Sequence, residues 1–215
     1  MNVYPNVIHI EGMDLAGKST VTRGLARRHP GCVVRHNALT DGNEVFELAY
    51  RLRRARTCDS ETLGLLYAAA AREDLRHTKA PVGVAVQDST IVLRSLAFYT
   101  ARGMPKIRAL FEELLPLHPR FGASIVLTAS IEARKLRLAK RMAEEPDQVA
   151  DDDLMVLRAP ERFLAMEQAL IEVAVSHFRA TVIDTSDLGV SGVLAAVDAA
   201  LTRQGFLAGE VRDVH

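Results

Sequence analysis

The 215 residues suit one α/β domain with enough apolar content to build its own core, 48% of the chain being hydrophobic and 25% charged. Twenty-seven basic residues balance 27 acidic ones, which excludes a global field for nucleic acid or for a membrane surface. Two cysteines, Cys32 and Cys58, make neither a pair pattern nor a metal spacing, and no apolar run reaches the roughly 20 residues of a membrane span. The chain enters a strand with no room for a signal peptide, so a reduced cytoplasm is the expected compartment.

The first predicted element is a buried strand on Val7, Ile8 and Ile10, which runs into Gly12. Four residues later come Gly17-Lys18-Ser19, completing G-x-x-x-x-G-K-[ST] between that strand and a helix over 18–28. Glycines let the backbone turn closely enough for its N–H groups to surround phosphate oxygens, and the helix points its positive end at the same anion. Gly12, Met13, Asp14, Leu15, Ala16, Gly17, Lys18, Ser19 and Thr20 therefore form a nucleoside-triphosphate loop. Lys18 is assigned to the β- and γ-phosphates and Ser19 to Mg²⁺.

His29-Pro30-Gly31 stops the helix, and Cys32-Val33-Val34 is a second strand delivering Arg35. Helices follow over 44–56, with a basic far end, and over 60–79, with Ser60 as cap and Leu63, Leu66, Ala70 and Leu75 as buried stripe. Residues 82–86 read as a buried parallel strand with Asp88 at its tip. Helices are expected over 93–102 and from Pro105 to before Pro116, a fourth strand over 124–128, and a basic helix over 131–143. An acidic segment through Asp151-Asp152-Asp153, a long helix over 154–177, a last strand over 181–183 and a helix over 190–202 complete the chain. Such alternation predicts a parallel sheet covered on both faces, with ligands beyond the strands' carboxyl ends. Glu11 to Ser19, Arg35, Asp88, Thr128 and Asp184 stand there.

Ile10 to Thr20 resembles the loop of thymidylate kinases and related nucleotide kinases. Arg35 at a strand end, the segment Tyr67-Ala68-Ala69-Ala70-Ala71-Arg72, and Val86-Gln87-Asp88 followed by Ser95-Leu96-Ala97-Phe98-Tyr99 are similar to further segments of that family, as is the element order from 125 to 183. The resemblance implies a three-layer P-loop kinase fold over 1–215, with a central parallel five-stranded sheet, a small helical lid at about 142–158, ATP and Mg²⁺ as cofactors, and a homodimer. It also implies that Asp14 binds the acceptor's sugar hydroxyl, that Arg137 flanks the adenine and that Arg141 swings onto the phosphates. Arg158 is an alternative lid donor. Four departures stand out. Ser89 replaces an acceptor-phosphate Arg, the spacing from Asp88 to Ala97 is one residue longer so that Arg94 could take over that role, His36-Asn37 follows Arg35, and Ala68 holds the base-stacking position with Tyr67 one residue off; apart from these, Leu15 stands where some members have Arg.

Each role has a plainer alternative. Asp14 is otherwise a solvated turn residue, and Asp88, expected to orient Mg²⁺, a cap or ion-pair partner. Arg35, Arg72 and Arg94 form an acceptor-side set suited to an anion, while Arg134, Lys135 and Lys140 read as a solvated face and the Asp151–Asp153 run as a solvated lid or helix start. Asp184-Thr185-Ser186 fits either an adenine pocket or a capping turn. The leading expectation is phosphoryl transfer from ATP to a nucleoside monophosphate, with neither nucleic acid nor membrane as partner. The alternative is a nucleoside or another specialised hydroxyl acceptor, favoured by Ser89 and Ala68. A nucleotide switch or binding module stands further back, since the guanine-reading N-K-x-D is absent.

Overall fold

In chain order the elements are β1 (Val3–Glu11), α1 (Lys18–Arg28), β2 (Val33–His36), α2 (Glu44–Ala55), α3 (Ser60–His77), β3 (Ala85–Asp88), α4 (Ile91–Ala101), α5 (Pro105–Leu114), β4 (Arg120–Thr128), α6 (Ile131–Glu144), α7 (Met155–Arg158), α8 (Pro160–Phe178), β5 (Thr181–Asp184) and α9 (Val190–Arg203). Single 3-10 turns lie at Leu115–Leu117 and Pro146–Gln148. This computed structural model describes residues 2–206; Met1 and 207–215, which the expected single unit over 1–215 includes, lie outside the described residues.

The strands form one five-stranded sheet of order β2-β3-β1-β4-β5, every neighbouring pair parallel. β1 is central, so both its faces are covered, and its continuous run Val7 to Ile10 is buried without alternation. On one face Ile8, Ile10, Val86, Ile125 and Leu127 pack against Val21 and Leu25 of α1 and Val193 and Val197 of α9. On the other, Val126 meets Leu93 and Ala97 of α4 and Phe163, Leu170 and Phe178 of α8. A third cluster, with Ala70, Leu96, Ile107 and Phe111, joins α3, α4 and α5 outboard of that face. The three-layer α/β fold expected from the sequence is the one observed.

Differences follow from local chemistry. The strand expected over 82–86 begins only at Ala85, because Val7 of β1 and Val33 of β2 both pair with Ala85. Before it, among the described residues, only the Val84 carbonyl is reached by a neighbouring strand, accepting from the Val33 N–H at 3.3 Å, and the Asn6 amide holds the Pro81 and Gly83 carbonyls. Cys32 likewise precedes its strand. Asp59, not Ser60, caps α3, its Oδ1 accepting from the Thr62 N–H at 2.7 Å. The long helix expected over 154–177 breaks at Ala159, where Pro160 starts α8: proline lacks an N–H and pushes the preceding residue out of helical geometry, here to φ −152°.

Candidate active site

The phosphate loop lies between β1 and α1 at the carboxyl end of the central strand. Gly12 is required there: at φ +146°, a Cβ would sit 2.3 Å from the Leu127 carbonyl oxygen of β4. Gly17 (φ +99°) turns the chain into α1, and a Cβ on it would meet nothing within 4 Å. Asn43, Asp59, Thr90 and Ser130 cap α2, α3, α4 and α6 with their side chains, whereas no side chain caps α1 and no acidic residue occupies its first turn. Its first-turn N–H groups are therefore open to an anion, a feature it shares with α5 and α9 and that gains meaning only from the loop before it. Lys18 donates to the Met13 carbonyl at 3.2 Å and lies 3.6 Å from Asp14 Oδ1, and Ser19 follows on the exposed first turn. The side chains of Met13, Leu15 and Ala16 are buried, so their share in the loop is backbone.

Beneath the loop, Glu11 ties it to the segment after β3. Its Oε1 accepts from the Gly12 N–H at 3.0 Å and from Ser89 Oγ at 2.8 Å, and its Oε2 from the Thr90 N–H at 3.3 Å. Burial alone would raise the Glu11 pKa, but His9, Arg94 and the Gly12 N–H outweigh it and hold the carboxylate below its ordinary range. Ser89, standing where the resemblance calls for an arginine, supports the loop through Glu11 instead.

Beside the loop opens a cavity of about 400 Å³. Phe46, Tyr50, Tyr67, Phe98 and Tyr99 give it aromatic walls, and Met13, Met155 and Met166 an apolar side. Phe46 lies 6.2 Å from Tyr50, stacked, and 6.0 Å from Tyr67, tilted. Asp14 sits at the junction: Arg94, reaching in from α4, lies 3.2 Å from its Oδ1 and also donates to the Gly12 carbonyl at 3.1 Å. Burial works to raise the Asp14 pKa, yet Arg94 and Lys18 hold it well below the ordinary aspartate value. The loop aspartate is thus a paired carboxylate, with a cation toward the phosphate site and another toward the cavity.

Asp88, at the tip of β3, is buried and lies 3.3 Å from His36 Nδ1. Burial raises its pKa, partly offset by Lys18 nearby. Arg137 donates to the Leu15 carbonyl at 2.9 Å and to Thr185 Oγ1 at 3.0 Å, clamping the loop to the end of β5. Thr185 also donates to the Ala16 or Thr128 carbonyl, so the Asp184-Thr185-Ser186 turn braces the loop, while Ser186 bonds back to Asp184 and neither residue caps α9. Arg141 is held at 3.0 Å by both oxygens of Asp153.

The structure brings Asp14, Lys18, Arg94 and Tyr67 together, and it does not bring Arg35 or Arg72 to the cavity. Arg35 lines a separate groove with His77 and Lys79, and Arg72 is exposed on α3. Two readings of the basic and acidic runs are corrected. Arg134 is fully buried, bonded to Glu167 and stacked 4.7 Å from the Phe163 ring, because α8 covers that face of α6; Lys135 and Lys140 are exposed. The aspartate run departs from the solvated reading only at Asp153, which is buried against Arg141; the side chains of Asp151 and Asp152 are exposed and pair with Arg56 and Arg53. Sequence reading missed Arg53, Asp152 and Phe46 as cavity residues and left Glu11 without a role. The one available signal was the basic end of α2, whose partner a single sequence does not reveal.

The residues fit a nucleoside triphosphate with Mg²⁺. The open space at Gly17, the uncapped α1, Lys18 and Ser19 suit phosphates, and Asp88 suits a cation that takes most of its ligands from phosphate and water. No family model matches the chain, and no curated protein matches it. Solved structures do. Thymidylate kinase from Candida albicans is similar at TM-score 0.67 and 13% identity, over 96% of this chain and 95% of that one. Deoxyadenosine kinase from M. mycoides is similar with bound dATP (TM-score 0.57, 18% identity, 91% of this chain and 99% of that one) and with the products dCMP and dCDP (0.59, 17%, 92% and 99%). At these identities the likeness is one of fold, and over nearly its whole length the chain has the fold of the P-loop nucleoside and nucleotide kinases.

Proposed function

We propose that the chain is a kinase that transfers the γ-phosphoryl group of Mg·ATP to a hydroxyl of a nucleoside-class acceptor bound in the aromatic cavity. The observation that carries this reading is the position of Asp14, linked to Lys18 of the phosphate loop on one side and to Arg94 of the cavity on the other. An acceptor hydroxyl donating to Asp14 lies at the border between the two sites, which is the positioning that phosphoryl transfer requires. Held ionised, Asp14 orients the hydroxyl by accepting its hydrogen bond. Lys18 and the first turn of α1 neutralise the phosphate oxygens. Ser19 and Asp88 are the residues that would hold Mg²⁺, which would supply positive charge to offset that of the phosphates. Arg137 fixes the loop against β5 and borders the nucleotide side. Arg141, taken with 142–158 as the lid, is the cation that closure brings toward the phosphates.

The monophosphate expectation rested on three arginines. Arg35 and Arg72 lie away from the cavity and Arg94 is already paired with Asp14, which favours an uncharged nucleoside. A nucleoside monophosphate is the second reading, supported by Arg53 and Arg102 in the cavity lining. The test is a coupled ADP-release assay with deoxynucleosides, their 5′-monophosphates and sugar alcohols, and Lys18→Ala as control. Acceptor-dependent turnover is expected, falling about 100- to 1000-fold in the control, the range for loss of one preorganised transition-state donor. Hydrolysis that no acceptor stimulates overturns the kinase reading.

A further inference from the structure

Arg53 and Arg94 both line the cavity, and each is already paired with a carboxylate. Arg94 is paired with Asp14 from the loop. Arg53, near the end of α2, is bonded to Asp152, which belongs to the segment between α6 and α8 and lines the cavity itself. The two flanking aspartates are engaged elsewhere. Asp151 pairs with Arg56 and lies 3.7 Å from Arg158, and neither it nor they line the cavity. Asp153 is turned inward onto Arg141 and the Ala150 N–H. Asp151 and Asp152 thus take arginines at the end of α2 and Asp153 takes one from α6, and of the three only Asp152 lines the cavity. Its charge also bears on Arg94: burial works against the Arg94 cation, while Asp14, Glu11 and Asp152 favour it. Of the remaining cavity cations, Arg102 is exposed, donating to Ser60 Oγ at 2.8 Å over the Phe98 ring.

A doubly negative acceptor phosphate needs guanidinium donors free to bind it in a two-pronged way. Here such a phosphate meets Arg53 only by displacing Asp152 and otherwise lies beside a like charge, which is a penalty against the wrong partner. We propose that Asp152 is a specificity-determining residue: carried by the lid, its carboxylate takes up the anion-binding capacity of Arg53, so that the closed site admits an uncharged nucleoside-class acceptor and turns away the corresponding monophosphate. This rests on the kinase reading above and adds to it a residue that never touches the reacting atoms.

The experiment compares the full chain with Asp152→Asn, Asp152→Glu, Asp151→Asn and the double variant Asp152→Asn/Arg53→Gln. Each is assayed for kcat and KM on four deoxynucleosides and their 5′-monophosphates, and for monophosphate affinity by titration calorimetry. The clasp is exposed, so the variants fold, as melting curves within a few degrees of the parent will show. Freeing Arg53 should raise monophosphate over nucleoside kcat/KM by about tenfold or more, since one charge-assisted bond is worth roughly 1.5–3 kcal/mol. The gain should appear in KM rather than kcat, be absent in Asp151→Asn, be reversed by Asp152→Glu and vanish in the double variant. An unchanged ratio in Asp152→Asn, an equal shift in Asp151→Asn, or a parent that already prefers monophosphates overturns the proposal while the kinase reading stands. Should no variant transfer phosphate, that reading fails and calorimetry decides: a roughly tenfold affinity gain of Asp152→Asn for monophosphate upholds the filter, and equal affinity overturns it.

Discussion

Asp14 carries the functional argument at the scale of single residues, and its protonation state is testable. Arg94 and Lys18 hold its pKa far below the ordinary aspartate value against the effect of burial. A carboxylate with a depressed folded-state pKa contributes stability that is present above its unfolded value, near 4, and is lost only as the pH falls below it. Asp14 is therefore ionised throughout the working range. Asp14→Asn is expected to lower kcat by about tenfold or more at every pH from 5 to 9, within the range for a residue that positions the reacting group, and to leave the shape of the pH–rate profile unchanged. An acid limb that disappears in Asp14→Asn would show instead that this residue titrates during turnover.

Among the elements, α6 is joined to α8 by a contact that stabilises the scaffold behind the site. Arg134 and Glu167 are bonded inside the protein, with the guanidinium against Phe163. Removing one member of a buried pair leaves the other as an uncompensated charge, typically at a cost of about 3–5 kcal/mol, whereas replacing both with apolar residues is often neutral. Glu167→Ala should lower the melting temperature by about 6–20 °C, at roughly 2–4 °C per kcal/mol for a chain of this size. Arg134→Met/Glu167→Leu should recover most of that loss in scanning calorimetry. The pairs of Asp151 and Asp152 with the end of α2 differ in kind, being exposed and individually weak.

For the molecule as a whole, acid sensitivity is written into the layer between β4 and α8. His118 is buried, its Nδ1 donates to the Pro119 carbonyl at 2.8 Å, and its ring packs edge-on against Phe121 and Phe178. Burial pushes its pKa down to about 3, against the weaker opposing pull of Pro119. The unfolded chain takes up this proton near pH 6.5 and the folded chain does not, so stability falls as the pH drops below about 6.5, by up to roughly 1.4 kcal/mol per pH unit. Replacing His118 with Leu should reduce the slope of unfolding free energy against pH by one proton between pH 6.5 and 4.5, as read by urea titration. An unchanged slope would mean that His118 is protonated in the native state.

The sequence by itself determined the phosphate loop, the strand and helix alternation and the parallel sheet, because these rest on near-neighbour chemistry. Glycines at fixed spacing, an apolar central strand and breaker residues between periodic segments are all visible in one dimension. Boundaries drifted where pairing decided them: Ala85 starts its strand because Val7 and Val33 do, and no residue near Val82 announces it. Asp14, Lys18, Arg94 and Tyr67, singled out from motif and resemblance, are placed around the loop and the cavity. Tertiary structure alone decided that Arg35 and Arg72 stand away from the cavity, that Glu11 and Ser89 brace the loop, and that Arg53 meets Asp152 across 99 residues of chain. Ion-pair partners of this kind carry no local periodicity, and the charges that line the cavity are set by which element folds over it.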